Sequence, residues 1–196
     1  MKVLTSFVLL SMTVASLAQA QIQVGQASHA GTGCVAGSAQ VKLSSNQSTL
    51  YVTFNQFDAL AGGSTGRRID RKACAIRLPI AVDAGYQVSI KAVDYRALVK
   101  VPSDGQVVLD ATYSFIGSDE QTLNKSFSGP LKKIYYAKND LKSLPGVVSE
   151  CGQKDVVFAV NVSGRAVAGA SMDATQIKMN SVQPILTYKI QVVKCP

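Results

Sequence analysis

Residues 86–101, YQVSIKAVDYRALVKV, decide how the chain is to be read. From Tyr86 to Ala92 the apolar side chains fall on even numbers, with Gln87, Ser89 and Lys91 between them; from Val93 onward Val93, Tyr95, Ala97, Val99 and Val101 fall on odd ones, with Asp94 and Arg96 between the first three and Leu98 the one apolar residue out of step. Alternation with a period of two marks a β-strand with one buried face, because successive side chains point to opposite sides. A slip of one residue would send the whole apolar set to the other face unless an extra residue is absorbed. A β-bulge near Ala92–Val93 absorbs it; the alternative is a strand that passes from one sheet to another at a corner. In both cases Asp94 and Arg96 share a face and Tyr95 takes the opposite one.

Working outward, the same alternation recurs. TLYVTFNQF places Leu50, Val52 and Phe54 against Tyr51, Thr53 and Asn55, and CAIRLPI places Cys74, Ile76, Leu78 and Ile80 against Ala75, Arg77 and Pro79. QVVLDATYSFIG, VVFAVNV and ILTYKIQVVKC continue the pattern. Gly62-Gly63-Ser64, Asp83-Ala84-Gly85, Ser103-Asp104-Gly105, Ser128-Gly129-Pro130 and Ser163-Gly164 supply turn chemistry between them. Only YYAKNDLKSL, residues 135–144, offers room for a short turn of helix. About eight to ten short strands in one stretch predict an all-β fold, a single antiparallel β-sandwich of jelly-roll type.

The chain opens MKVLTSFVLLSMTVASLAQA: a basic start at Lys2, an apolar run from Val3 to Leu17 and a small-x-small site at Ala18-Gln19-Ala20. This predicts a signal peptide over residues 1–20, a flexible lead-in over 21–33 and the β-sandwich domain over 34–196. The rival, a membrane anchor, needs ~20 apolar residues, and no second apolar run follows that could supply a transmembrane segment. The expected protein is secreted, extracellular or, in a Gram-negative host, periplasmic. Without Lys2, 19 basic residues stand against 12 acidic ones, about +7. Such an excess favours anionic surfaces, an acidic polysaccharide or a cell-envelope polymer, although most of the charges are scattered as on any solvated surface. A nucleic-acid partner is not expected.

The cysteines, Cys34, Cys74, Cys151 and Cys195, all follow the leader. An even number in an oxidising compartment reads as two disulfides, of which the sequence alone allows three pairings. No pair has the short spacing of a zinc site, and the one histidine, His29, lies in a Gly/Ala/Ser-rich lead-in, so no metal or cofactor is expected. Nucleophilic catalysis by a histidine-assisted serine or cysteine lacks its positioned base. Phosphate-binding, dinucleotide-binding and metalloprotease motifs are missing. Paired carboxylates need no motif, and Glu120 and Glu150 keep a divergent carbohydrate-active enzyme as the alternative to a non-catalytic extracellular binding domain. The tyrosines, among them Tyr51, Tyr95, Tyr135 and Tyr136, could stack on sugars, though at strand spacing such rings more often pack in a core.

The segments GTGCVAGS, LYVTFNQFDALAG, RKACAIRLPIAVDAGYQVSIKAVDYRALVKV, YSFIG, SGP, CGQKDVVFAVNV and YKIQVVKC, taken in order, resemble the small secreted proteins grouped as domain of unknown function 4360. Val35 stands where those relatives carry proline, Ala97 where they carry glycine, and the tryptophans common among them are missing. The resemblance implies a secreted, disulfide-bonded β domain and no particular activity. Its pattern of two cysteines toward each end, each pair bracketing one block of strands, implies Cys34–Cys74 and Cys151–Cys195.

Two local features stand out as site candidates. Arg67, Arg68, Arg71 and Lys72 surround Asp70 after a glycine-rich run and form the densest basic stretch, expected as a solvent-exposed loop that attracts anionic polymers. Asp94, Tyr95 and Arg96 are expected to be structural, with Arg96 paired to Asp94 and to backbone groups freed by the bulge.

Overall fold

The long strand over Tyr86–Val101 forms as read, and it stays in one sheet throughout. Against its neighbour, Ile190 stands opposite Ile90 and Lys189 opposite Ala92, which leaves Lys91 as the extra residue of a bulge. The bulge therefore sits just before the position expected from the sequence. It lets Val88 and Ile90 on one side of it, and Val93, Tyr95, Ala97, Val99 and Val101 on the other, all reach the core. Lys91 itself is exposed.

This computed structural model describes residues 21–140, 147–180, 183 and 185–196, so the leader over residues 1–20 lies outside the described residues. Two antiparallel sheets face each other. The first holds β1 (Ile22–Val24), β2 (Ser28–Ala30), β6 (Ile69–Val82), β8 (Gln106–Phe115), β9 (Gln121–Ser128) and β11 (Asp155–Val167), in the order β1-β6-β11-β8-β9 with β2 also on β6. The second holds β3 (Ala39–Leu43), β4 (Thr49–Phe54), β5 (Asp58–Ala61), β7 (Tyr86–Val101), β10 (Leu131–Asp140), β12 (Thr175–Lys178) and β13 (Leu186–Lys194). Its order is β3-β4-β13-β7-β12-β5, and β10 pairs with β7 along the other edge. The chain is thus an all-β, antiparallel sandwich with two disulfides.

Alternation along the strands of both sheets fills the space between them. Leu50, Val52 and Phe54 of β4 and Ile76, Leu78 and Ile80 of β6 are buried. Aromatic rings join the sheets: Tyr188 of β13 packs edge-on against Phe158 of β11 at 5.0 Å and against Tyr113 of β8 at 5.6 Å between centroids. Such pairs contribute roughly 0.5–1.5 kcal/mol each beyond the area they bury. At the end of the sandwich Phe127 of β9 meets Tyr135 of β10 at 4.9 Å, where the chain passes from the first sheet to the second.

Two expectations need correction. The lead-in over 21–33 is not loose: β1 and β2 both pair with β6, Ile22 is buried, and Gly33 N–H donates to the Ala73 carbonyl at 2.8 Å. Its small side chains carry little periodic signal, yet the edge of β6 offers backbone groups that need partners. Residues 135–140, read as a possible turn of helix, lie in β10, and the rest of that segment falls outside the described residues. An edge strand paired on one side keeps mixed exposure, so its alternation is weak.

The disulfides are Cys34–Cys74, with Cα atoms 5.4 Å apart, and Cys151–Cys195, 5.7 Å apart. The first pins the lead-in to β6; the second ties the approach to β11 to the end of β13. Gly31 explains the GTGC start. Its φ is +141°, and a Cβ there would lie 2.1 Å from the Ala73 carbonyl oxygen, so glycine alone fits the close approach of the two backbones.

Candidate functional site

The register of the second sheet fixes what its solvent-facing side carries. Paired residues in an antiparallel ladder point the same way. With Val99, Ala97, Tyr95 and Val93 of β7 in the core, the outer side receives Lys100, Leu98, Arg96 and Asp94. Directly opposite on β10 stand Lys132, Ile134, Tyr136 and Lys138. Lys178 of β12, Lys189 of β13 and Lys42 of β3 share this side. The acids on it include Asp58, whose carboxylate accepts from Gln176 Nε2 at 2.7 and 3.0 Å, Asp94, and, by its register opposite Ala92, Asp140 at the end of β10. Cations therefore outnumber anions on this face.

On this face Asp94, Arg96, Tyr136, Lys138, Ile185 and Thr187, with Tyr95 and Ala137, line an open groove of about 410 Å³. The Arg96 guanidinium lies over the Tyr136 ring, 5.7 Å from its centroid, and Nη1 donates to Gln183 Oε1. Tyr136 is 65% exposed. Farther along the same two strands, Lys100, Pro102, Pro130, Leu131, Lys132 and Asp173 border a wider cleft of about 770 Å³.

The expected Arg96–Asp94 pair is not formed. Residues two apart on a strand share a face, but the residue directly across is nearer, within ~5 Å, and here it is Tyr136. Tyr95 is core: it is 1% exposed, and burial, with Tyr188 and Tyr113 beside it, pushes its phenol far above the ordinary value.

The basic stretch 67–72 is divided rather than a single loop. Arg67 and Arg68 precede β6, while Asp70, Arg71 and Lys72 lie in it. Arg67 is an exposed side chain with Nη1 3.9 Å from Asp70 Oδ1, and Asp70 Oδ2 accepts from Leu60 N–H at 3.0 Å. Alternation turns Arg71 outward, where it stands opposite Arg165 of β11, and turns Lys72 toward Gly164. These four cations sit on and around the first sheet, and none of them lines either of the two grooves above.

His29 lies in β2, where its Nδ1–H, in the tautomer protonated there, donates to the Cys34 carbonyl at 3.0 Å. Glu150 accepts from Gln153 Nε2 at 2.9 Å beside the turn at Gly117, and neither it nor Glu120 lines either groove. Sequence reasoning missed the basic face of the second sheet. Its residues come from β3, β7, β10, β12 and β13, and only the strand order gathers them.

A β-sandwich closed by two disulfides and a secreted relative define the class: this is a secreted, disulfide-bonded β protein. The chain belongs to the family described as domain of unknown function (DUF4360), whose model matches residues 20–195. An uncharacterized secreted protein of Arthroderma benhamiae is 26% identical over 133 residues, 67% of this chain and 54% of that relative, so the chain spans about half the length of the relative it matches. Among solved structures, TmCBM61 in complex with β-1,4-galactotriose aligns over 86% of this chain and 88% of its own at 11% identity, with a TM-score of 0.36. A likeness that loose carries no inference about a ligand. None of the helices is long and apolar enough to cross a membrane among the described residues.

Proposed function

We propose that this chain is a non-catalytic extracellular binding domain that holds an anionic polymer, an acidic polysaccharide of a cell surface or envelope, on the outer side of its second sheet. The observation that carries this reading is the cross-strand row Asp94–Lys138, Arg96–Tyr136, Leu98–Ile134 and Lys100–Lys132, a cationic track with an exposed ring at its middle and open grooves along it. Like charges directly opposite, as at Lys100 and Lys132, cost stability unless an anion lies between them. Arg67, Arg68, Arg71 and Lys72 supply longer-range attraction from the first sheet rather than a seat for the ligand.

The test is co-sedimentation of the purified domain with a panel of insoluble and gelled polysaccharides, with released sugar assayed in parallel. Retention on acidic polymers without release supports the reading. Sugar release that depends on Glu120 or Glu150 would replace it with the enzyme.

A further inference from the structure

We infer that the groove beside Arg96 is a subsite for one carboxylated sugar, a uronate unit, and that the acidic chain carrying it runs along β7 and β10 toward Lys100 and Lys132. This rests on the binding reading above and gives it a ligand class and a direction.

A guanidinium presents its donors in a planar fork that matches a carboxylate at two points, which an ammonium cannot do. Of the five donors such a group carries, Gln183 takes one on Nη1, and the ring of Tyr136 supports the guanidinium plane. Tyr136, 65% exposed, offers the rest of its ring to the apolar face of a sugar. Asp94 and Thr187 line the same groove and can accept from and donate to hydroxyls. Arg96 and Lys138 against Asp94 leave one excess positive charge, which suits a singly charged group better than a phosphate dianion.

The track continues in register. After Arg96–Tyr136 comes the apolar pair Leu98–Ile134, with Ile134 48% exposed, and then the pair Lys100–Lys132 at the wider cleft, where Asp173 offsets one of the two charges. At ~3.3 Å per residue, Arg96 and Lys100 are about 13 Å apart along β7. A monosaccharide cannot reach both ends, so affinity should climb with chain length until an oligomer covers the two cationic positions.

Calorimetry with polygalacturonate, with galacturonate oligomers of increasing length and with dextran sulfate tests this on wild type, Arg96→Lys and Tyr136→Ala, with melting curves of each to verify folding. Arg96→Lys preserves charge; it should bind polygalacturonate about tenfold more weakly, and its loss on dextran sulfate, where net charge counts most, should be clearly smaller. Tyr136→Ala, at an exposed edge position, should show the same selective loss, and oligomers too short to span Arg96 to Lys100 should bind far more weakly than longer ones. If wild type and Arg96→Lys bind both polymers alike, or if length makes no difference, the uronate subsite is overturned while polyanion binding stands. If wild type binds neither polymer, the binding reading itself fails.

Discussion

Arg96 and Tyr136 face each other across β7 and β10, with the guanidinium carbon 5.7 Å from the ring centroid. The contact ties the edge strand to the longest strand of the sheet and at the same time builds one wall of the groove. A cation over an exposed ring contributes about 0.5–1 kcal/mol, and the bond to Gln183 adds to it. Arg96→Ala should therefore lower stability by roughly 1 kcal/mol, a fall of about 2–4 °C in Tm for a chain of this size. Thermal unfolding followed by circular dichroism checks it; an unchanged Tm would mean that the contact is not held in solution.

Gly31→Ala should be costlier, because the new Cβ would meet the Ala73 carbonyl oxygen at 2.1 Å and would need a φ of +141°. Backbone strain of this sort costs on the order of 1–3 kcal/mol. The hydrogen bond from Gly33 to Ala73 should loosen with it, visible as faster amide exchange at Gly33. Gly37→Ala provides the contrast: it has nothing within 4 Å, so only the cost of its φ of +77° applies.

The two disulfides should differ in their response to reductant. Cys34 and Cys74 are 0% and 2% exposed, whereas Cys151 is exposed and Cys195 half-buried. Under native conditions a mild thiol should open Cys151–Cys195 first, and alkylation followed by mass spectrometry would show label there before it reaches Cys34. By chain entropy each loop, of 40 and 44 residues, stabilises the fold by about 4 kcal/mol, so a double serine variant at either pair should melt well below wild type.

Acid should weaken the turn at Asp104. The Ser171 backbone N–H donates to Oδ2 at 2.8 Å and the Ser171 hydroxyl to Oδ1 at 2.9 Å, and these bonds hold the carboxyl below its ordinary value. A folded value below the unfolded one adds stability above the unfolded value, near 3.9, that is lost as pH falls through the folded value. Asp104→Asn should therefore melt below wild type at neutral pH, and the gap between the two should close between about pH 5 and pH 2. A gap that stays constant with pH would remove the carboxylate's role.

Much of the fold can be read from alternation alone. The change of parity at Ala92 announced a bulge because both apolar sets, Ile90 before it and Val93 after it, had to face one core. Strands of three residues such as Ser28–Ala30 give no such signal, since SHA carries neither β-branched nor large apolar side chains, and only the waiting edge of β6 makes them strands. The site was harder to see. Lys42, Lys100, Lys132, Lys178 and Lys189 are far apart in the sequence and become neighbours only through strand order, while in the conspicuous run Arg67, Arg68, Arg71 and Lys72 the first two precede β6 and its pleat turns the last two to opposite sides. For the same reason the expected partner of Arg96 was Asp94, two residues away, when the ladder places Tyr136 directly across.

The most direct test of the basic face is the salt concentration at which the domain leaves an immobilised acidic polysaccharide. Three proteins suffice: wild type, a face variant with Lys100, Lys132 and Lys138 changed to Ser, and a variant with Arg67, Arg68, Arg71 and Lys72 changed to Ser. Exposed charges are screened beyond about 8 Å at physiological salt, so elution reports how many cations touch the polymer. If the second sheet holds the ligand, the face variant elutes at markedly lower salt than the 67–72 variant, although the latter loses one more positive charge. Equal elution of all three, or an earlier exit of the 67–72 variant, would contradict the assignment of the site to β7 and β10.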